Sequence, residues 1–311
     1  MLNHVRGLVV RARQLAPERG GAVALAAVAV LGLGGLGWLG REISASNPSD
    51  ASPSLLELLE QVGAPRSGSS APAATPSLNA RPAPTPPAHD RWVSPLKRQC
   101  TADPALSRRL EAKVAALPLE MERLTIDPTN YGSRFRSDAF GNPVDPTPRV
   151  VVLHETVYGM QSAVQTFLTP HPRDEDQVSY HLMIGENGQV VQALDPAYRA
   201  FGAGNSAFNG QWVMTNPDVG GSVNNFALHL SLETPLDGED ADAEHSGYSN
   251  AQYDALAVVL TDWMRRFGIA PQNITTHRYV DLGGERADPR SFRWSELQTR
   301  LAALGMLCKS G

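Results

Sequence analysis

The sequence predicts a single α/β domain with a central mixed β-sheet flanked by helices, preceded by a transmembrane segment and a disordered linker. Three observations predict this organisation. Short β-branched runs alternate with helical patterns in residues 92–311, without an internal repeat. Residues 20–40 contain no charged side chain, and residues 41–91 are rich in proline, alanine and serine. We therefore expect a basic cytoplasmic segment 1–19, a membrane segment, a linker and a folded domain, in that order.

The predicted membrane segment, residues 20–40, is long enough to span a bilayer. An apolar helix of this length covers about 30 Å, the thickness of the hydrocarbon layer. Arginines dominate the residues before it, so the positive-inside rule exports everything that follows. Its length favours a retained signal anchor, while Ser44-Ala45 leaves a cleaved signal peptide as an alternative, and a buried core helix is a third. We expect the bacterial periplasm or cell envelope, with the inner membrane contacting the N-terminal segment.

Charge and cysteine content agree with export. Residues 46–311 carry 22 basic and 30 acidic side chains, and no basic stripe interleaved with aromatics occurs, so nucleic acid is excluded as a partner. Cys100 and Cys308 bracket the predicted domain; we expect a disulfide between them, the alternative being two free buried thiols. A serine or cysteine hydrolase is disfavoured, because no Gly-x-Ser-x-Gly motif occurs and neither cysteine has a histidine nearby in sequence.

The helices are predicted from apolar periodicity and from end signals. Asp103-Pro104 starts the first helix, whose apolar face runs from Leu106 to Leu117. A second helix is expected over Met160–Leu168. The third begins at Ser249 or Asn250 and stops at Gly268. Its apolar face comprises Tyr253, Leu256, Leu260, Met264 and Phe267.

Four segments read as strands of one sheet. Val150–Leu153 is a β-branched run, Tyr180–Leu194 has the pattern of a hairpin, Phe226–Glu233 is a further strand, and Asn273–Thr276 is a short one. An acidic loop, residues 237–244, separates the third strand from the long helix.

Two histidines and one aspartate stand where strands or short motifs end. His154 follows the first β-branched run, His277 follows the short last strand, and Asp288 lies in a loop that begins at Gly283-Gly284. Two imidazoles and one carboxylate, with a further position for water, form the ligand set of zinc hydrolases. A lone histidine at a strand end is more often structural. The three residues together predict a Zn²⁺ site.

The motifs around these residues occur in a recognisable order: His154-Glu155-Thr156, then the hairpin of residues 178–192, then His277 through Asp288-Pro289 to Trp294. Over residues 149–301 they resemble the zinc-dependent N-acetylmuramoyl-L-alanine amidases of the type-2 amidase and peptidoglycan recognition protein family. The resemblance implies a zinc hydrolase. Its expected reaction is cleavage of the amide bond between N-acetylmuramic acid and L-alanine, in peptidoglycan or a muropeptide.

The resemblance also implies roles for individual residues. His154, His277 and Asp288 would be the metal ligands. Tyr180 falls where some members place a catalytic tyrosine beside the attacking water, although packing is the alternative for this side chain. Arg286 occupies a position that usually carries a lysine contacting the reacting carbonyl. A guanidinium can bind an oxyanion but cannot serve as a general acid.

The strand at Leu228–Ser231 departs from the related sequences. Many of them read Ile-Gly-Ile-Glu, whereas this strand reads Leu-His-Leu-Ser, so a serine replaces a glutamate that helps to position water. Because strand side chains alternate between faces, His229, Ser231 and Glu233 share one face. Glu233 is therefore the predicted fallback base on the condition that the strand runs one pleat longer into the site. His229 is a candidate to border the site, the alternative being a position away from it. The same alternation turns Glu155 away from the metal ligands.

A second departure is Phe201-Gly202-Ala203-Gly204, where relatives often have Trp-His-Ala-Gly. Together with Ser231, it motivates an alternative function: a peptidoglycan-binding module with weak or no hydrolytic activity. A soluble muropeptide-recycling amidase is a third possibility, disfavoured by the predicted membrane segment. His181 is expected in the core or behind the ligands.

Overall fold

The computed structural model describes residues 80–308. The predicted segments 1–19 and 20–40, and the linker up to residue 79, lie outside the described residues. Within residues 80–308, no helix is both long enough and apolar enough to span a bilayer.

Residues 80–91, predicted as the end of the linker, contact the domain although they form no helix or strand. The Arg81 amide donates to the carbonyl of Phe140 at 2.9 Å, and the Trp212 indole donates to the carbonyl of Pro84 at 2.9 Å. The packed part of the chain therefore begins before the predicted domain boundary.

Five helices and ten strands are named here in chain order. The helices are α1 (Pro104–Glu120), α2 (Met160–Leu168), α3 (Asn250–Phe267), α4 (His277–Val280) and α5 (Trp294–Ala303). The strands are β1 (Glu122–Arg123), β2 (Tyr131–Ser133), β3 (Val150–Glu155), β4 (Leu182–Ile184), β5 (Val190–Gln192), β6 (Tyr198–Ala200), β7 (Val213–Asn216), β8 (Gly220–Ser222), β9 (Ala227–Leu232) and β10 (Ile274–Thr276).

The main sheet has six strands in the order β1-β5-β4-β9-β3-β10. Strands β4, β9, β3 and β10 run parallel to one another, whereas β5 pairs antiparallel with β4. This arrangement confirms the predicted mixed sheet. The parallel register brings the carboxyl ends of β3, β9 and β10 to one edge, where ligands commonly bind in α/β folds.

Capping residues mark the ends of the long helices at the predicted positions. The Asp103 carboxylate accepts from the Ala105 amide at 2.8 Å at the start of α1. At the start of α3, Ser249 and Gln252 form a reciprocal capping box, which satisfies two amides that the helix leaves free. Gly268 ends α3 with φ of +68°, a conformation that glycine adopts at low cost.

One face of the sheet packs against helices to form the larger apolar core. Leu153 and Leu230 lie in it with Tyr253 and Leu256 of α3. Helices α1 and α5 pack on α3. The predicted disulfide between Cys100 and Cys308 is present and joins the segment before α1 to the segment after α5.

Candidate metal centre

Strand register places the first two predicted ligands side by side. His154 of β3 pairs with Ser231 of β9, and Leu153 pairs with Thr276 of β10, so His277 follows at the adjacent strand end. Paired residues of parallel strands project to the same face of a sheet. The two histidines reach one site because β10 runs parallel to β3.

Asp288 completes a cluster with these histidines. The amide of Arg278 donates to the carbonyl of Asp288 at 3.0 Å, which holds the loop against α4. Asp288 Oδ1 lies 3.0 Å from His277 Nδ1, and Asp288 Oδ2 lies 3.3 Å from His154 Nδ1. The ligand atoms of the three side chains all lie within 4.8 Å of one another. Three residues from separate stretches are thus brought together as predicted.

The chemistry of the cluster suits a zinc ion. His154 is fully buried, and its Nε2 lies 2.9 Å from His229 Nδ1. Its Nδ1 faces Asp288 but is not aligned for a hydrogen bond, and it has no hydrogen-bond partner among residues 80–308. A buried nitrogen without a partner is costly unless it binds something else. Two imidazoles and one carboxylate are ligands that zinc prefers.

The protonation states also favour a bound cation. Burial, with the neighbouring His277, lowers the pKa of His154 to about 4, so its imidazole is neutral at pH 7. Burial opposes ionisation of Asp288, but the imidazoles of His154 and His277 outweigh it and hold the pKa of this carboxyl below its ordinary range. Neutral imidazole and ionised carboxylate are the forms that coordinate metals.

Tyr180 and Arg286 lie near the cluster. The Tyr180 ring stacks on the His154 ring, with centroids 4.5 Å apart and planes inclined by 25°. Burial, reinforced by the negative charge of Asp288, raises the pKa of Tyr180, so its hydroxyl stays protonated at neutral pH. Arg286 is exposed, and its positive charge acts to lower the pKa of both His154 and Tyr180.

Glu233, the predicted fallback base, has a different environment. Its Oε1 accepts from the amide of Met160 at 2.8 Å, and its Oε2 accepts from the amide of Glu186 at 2.9 Å. The carboxylate therefore ties the start of α2 to the β4–β5 turn. Among the described residues, no hydrogen bond or ion pair joins the Glu233 carboxylate to the histidine cluster.

Glu155 turns away from His154, in agreement with the predicted alternation, and holds the neighbouring loop. It accepts from the Tyr248 hydroxyl at 2.6 Å and from Arg290 Nε at 2.5 Å. Arg290 comes two residues after Asp288 and also donates to the carbonyl of Gly238 at 2.5 Å. This buried ion pair was not predicted, because no local pattern links residues so far apart in the chain.

His229 lies closer to the ligands than the sequence predicted. It was only a candidate to border the site, but its Nδ1 contacts His154 Nε2 directly. His181 is buried behind it, as predicted, and accepts from the His229 amide at 3.0 Å. A Cβ atom at Gly202 would lie 2.4 Å from the His229 ring. Two positions at which this chain departs from related sequences, the histidine at 229 and the glycine at 202, therefore contact each other.

A family model described as N-acetylmuramoyl-L-alanine amidase matches residues 144–291, which include all three cluster residues. The type-2 amidase resemblance is confirmed, and the chain carries an N-acetylmuramoyl-L-alanine amidase domain. No curated protein matches the chain.

Several solved structures are similar to this chain at low sequence identity. A selenomethionine derivative of AmpD is 22% identical with a TM-score of 0.43, and the match covers 58% of this chain and 94% of AmpD. AmiD from E. coli, in complex with anhydro-N-acetylmuramic acid-L-Ala-D-γ-Glu-L-Lys, is 23% identical with a TM-score of 0.38, covering 49% and 57%. AmpDh3 from Pseudomonas aeruginosa, in complex with anhydromuramic pentapeptide, is 20% identical with a TM-score of 0.38, covering 57% and 66%.

Proposed function

We propose that this protein is a zinc-dependent amidase that hydrolyses the bond between N-acetylmuramic acid and L-alanine in peptidoglycan or its fragments. One observation carries the proposal: the ligand atoms of His154, His277 and Asp288 lie within 4.8 Å of one another, inside the family-matched residues 144–291. Zinc held in such a site polarises an amide carbonyl and makes water nucleophilic at neutral pH.

The protein's own residues would then hold the ion and orient the reactants. His154 offers Nδ1, since Nε2 is engaged by His229. Tyr180, kept protonated by burial, can donate a hydrogen bond to water or to the substrate carbonyl. Arg286 is exposed beside the cluster and can bind a developing oxyanion through its permanent charge. Glu233 is engaged by two backbone amides, so its placement favours an anchoring role over that of a base.

We place the domain in the bacterial cell envelope, tethered to the inner membrane by residues 20–40. The charge-free composition of this segment and the arginines before it support the placement. The Cys100–Cys308 disulfide supports it too, because structural disulfides persist in oxidising compartments. Carbonate extraction of membranes should leave the full-length protein in the pellet. A soluble, exported fragment would instead indicate a cleaved signal peptide.

The activity is tested on the purified full-length protein. We expect about one equivalent of zinc by elemental analysis, and release of stem peptides with a free N-terminal L-alanine from purified sacculi or muropeptides, identified by mass. Removal of the metal should abolish release, and added zinc should restore it. Full activity in metal-free protein would contradict the proposal.

The alternative of a binding module without activity is motivated by Ser231. Its side chain is fully buried beside His154, where many related sequences carry a glutamate. Binding to sacculi in a pull-down assay, with no peptide released over hours by zinc-loaded protein, would favour this alternative.

A further inference from the structure

We infer that His229 positions the proposed ligand His154, by accepting a hydrogen bond that fixes the tautomer and the ring orientation of His154. This inference rests on the proposed zinc function. A histidine that binds a metal through one ring nitrogen usually donates a hydrogen bond from the other, and the inference assigns the acceptor of that bond to His229 of β9. Such contacts usually come from a carboxylate, a backbone carbonyl or water. Here the partner is a second imidazole.

The geometry defines how the two rings interact. His154 Nε2 lies 2.9 Å from His229 Nδ1, and both side chains are fully buried. Binding of a metal through His154 Nδ1 requires its lone pair, so the single proton of the neutral ring must sit on Nε2. That N–H donates to His229 Nδ1. His229 then carries its own proton on Nε2.

His229 is itself held from two sides. Its amide donates to His181 Nδ1 at 3.0 Å, and its carbonyl accepts from the His181 amide at 2.9 Å. The two rings are nearly parallel, with an interplanar angle of 6° and centroids 6.0 Å apart. The second contact is Gly202, where any Cβ atom would meet the His229 ring at 2.4 Å. The ring therefore occupies a slot that only a glycine at position 202 leaves open.

A packing role and a positioning role make different demands on residue 229. Packing requires a side chain of suitable volume, which leucine supplies. Positioning requires a hydrogen-bond acceptor where His229 Nδ1 stands, and the Oδ1 atom of asparagine can occupy that place. His229→Leu and His229→Asn therefore separate the two roles.

The test measures zinc affinity of the full-length protein by competition with a chelator. His229→Leu should raise the zinc Kd by about 10- to 100-fold, as removal of such partners does elsewhere. His229→Asn should stay within about threefold of wild type, because it retains the acceptor. His171→Leu is the matched control: His171 is a half-buried loop histidine whose Nδ1 lies 2.8 Å from Asn130 Oδ1, and its loss should leave the zinc Kd unchanged.

A second readout does not depend on any variant folding. In ¹⁵N NMR spectra of zinc-loaded wild type, we expect His154 and His229 each to be protonated on Nε2. A proton on His154 Nδ1, or a zinc Kd of His229→Leu equal to that of wild type, would overturn the inference while leaving the proposed function intact. Wild-type protein that binds no zinc would instead refute the proposed function, and this inference with it.

Discussion

The two faces of the central sheet are made by the same strands but differ in the side chains that they present. On the helix side, Leu153 and Leu230 pack into a continuous apolar core. Their chain neighbours His154 and Ser231 project to the opposite face. There, His154 Nδ1, His229 Nε2, Ser231 Oγ and Thr275 Oγ1 are buried without a hydrogen-bond partner among residues 80–308. On the helix side the same holds for two threonine hydroxyls, Thr261 Oγ1 and Thr276 Oγ1.

Because side chains alternate between the two faces of a strand, one strand can contribute apolar residues to the core and polar residues to the proposed site. Buried polar atoms without partners cost about 1–3 kcal/mol each. The helix-side core and the smaller apolar cluster around Val152 on the site face contribute the apolar burial that offsets such costs. We therefore expect substitutions on the two faces to have separable effects: loss of metal and activity on one, and loss of stability on the other.

The largest effect is expected from His154→Ala on the site face. Loss of one of the three proposed ligands should prevent zinc binding and lower kcat/KM by about 1,000-fold, because zinc at the proposed site would supply several kcal/mol of transition-state stabilisation. Metal analysis and steady-state kinetics measure both quantities. His171→Ala serves as the control. Retention of stoichiometric zinc by His154→Ala would remove this residue from the ligand set.

Leu256→Ala on the helix side should lower stability without changing zinc binding. Leu256 is fully buried in the core on α3, so truncation should lower the free energy of unfolding by about 2–5 kcal/mol. The zinc Kd of the folded protein should remain unchanged. Urea titrations give the stability, and Leu119→Ala, at an exposed leucine on α1, should change it by less than about 0.5 kcal/mol. A large loss of zinc affinity in Leu256→Ala would mean that the two faces are coupled.

Tyr180→Phe distinguishes chemistry from packing at the edge of the cluster. The ring that stacks on His154 remains, and only the hydroxyl is lost. If the hydroxyl donates to water or substrate, kcat should fall by about 100-fold, with the zinc Kd and the melting temperature unchanged. Tyr131→Phe, at a tyrosine whose ring meets Tyr198, is the matched control. Unchanged kcat would assign Tyr180 to packing alone.

The smallest effect is expected from Ser231→Ala. Removal of a buried hydroxyl that has no partner among the described residues should leave the free energy of unfolding unchanged or raise it by up to about 1 kcal/mol. The zinc Kd should also be unchanged. Thermal and urea unfolding test the first point. A clear loss of stability would show that Ser231 makes a hydrogen bond in solution.

The sequence by itself determined the features that depend on neighbouring residues. Capping side chains and glycine set the ends of α1 and α3, and two-residue alternation turned Glu155 away from His154. The types of the clustered side chains, two imidazoles and one carboxylate, predicted a metal site before any distance was known. The inferences about the helix ends and about Glu155 succeeded because caps, turns and alternation act over a few residues, whereas the metal site stays a prediction.

Only the tertiary structure decided which distant residues meet. The contact between His154 and His229 depends on the register of β3 against β9, and the ring fits because Gly202 leaves space for it. Backbone amides from two other segments engage Glu233, which alternation had placed only on the same strand face as His229 and Ser231. Strand register and loop position arise from packing of the whole domain. No local pattern encodes them, because the interacting groups are far apart in the chain.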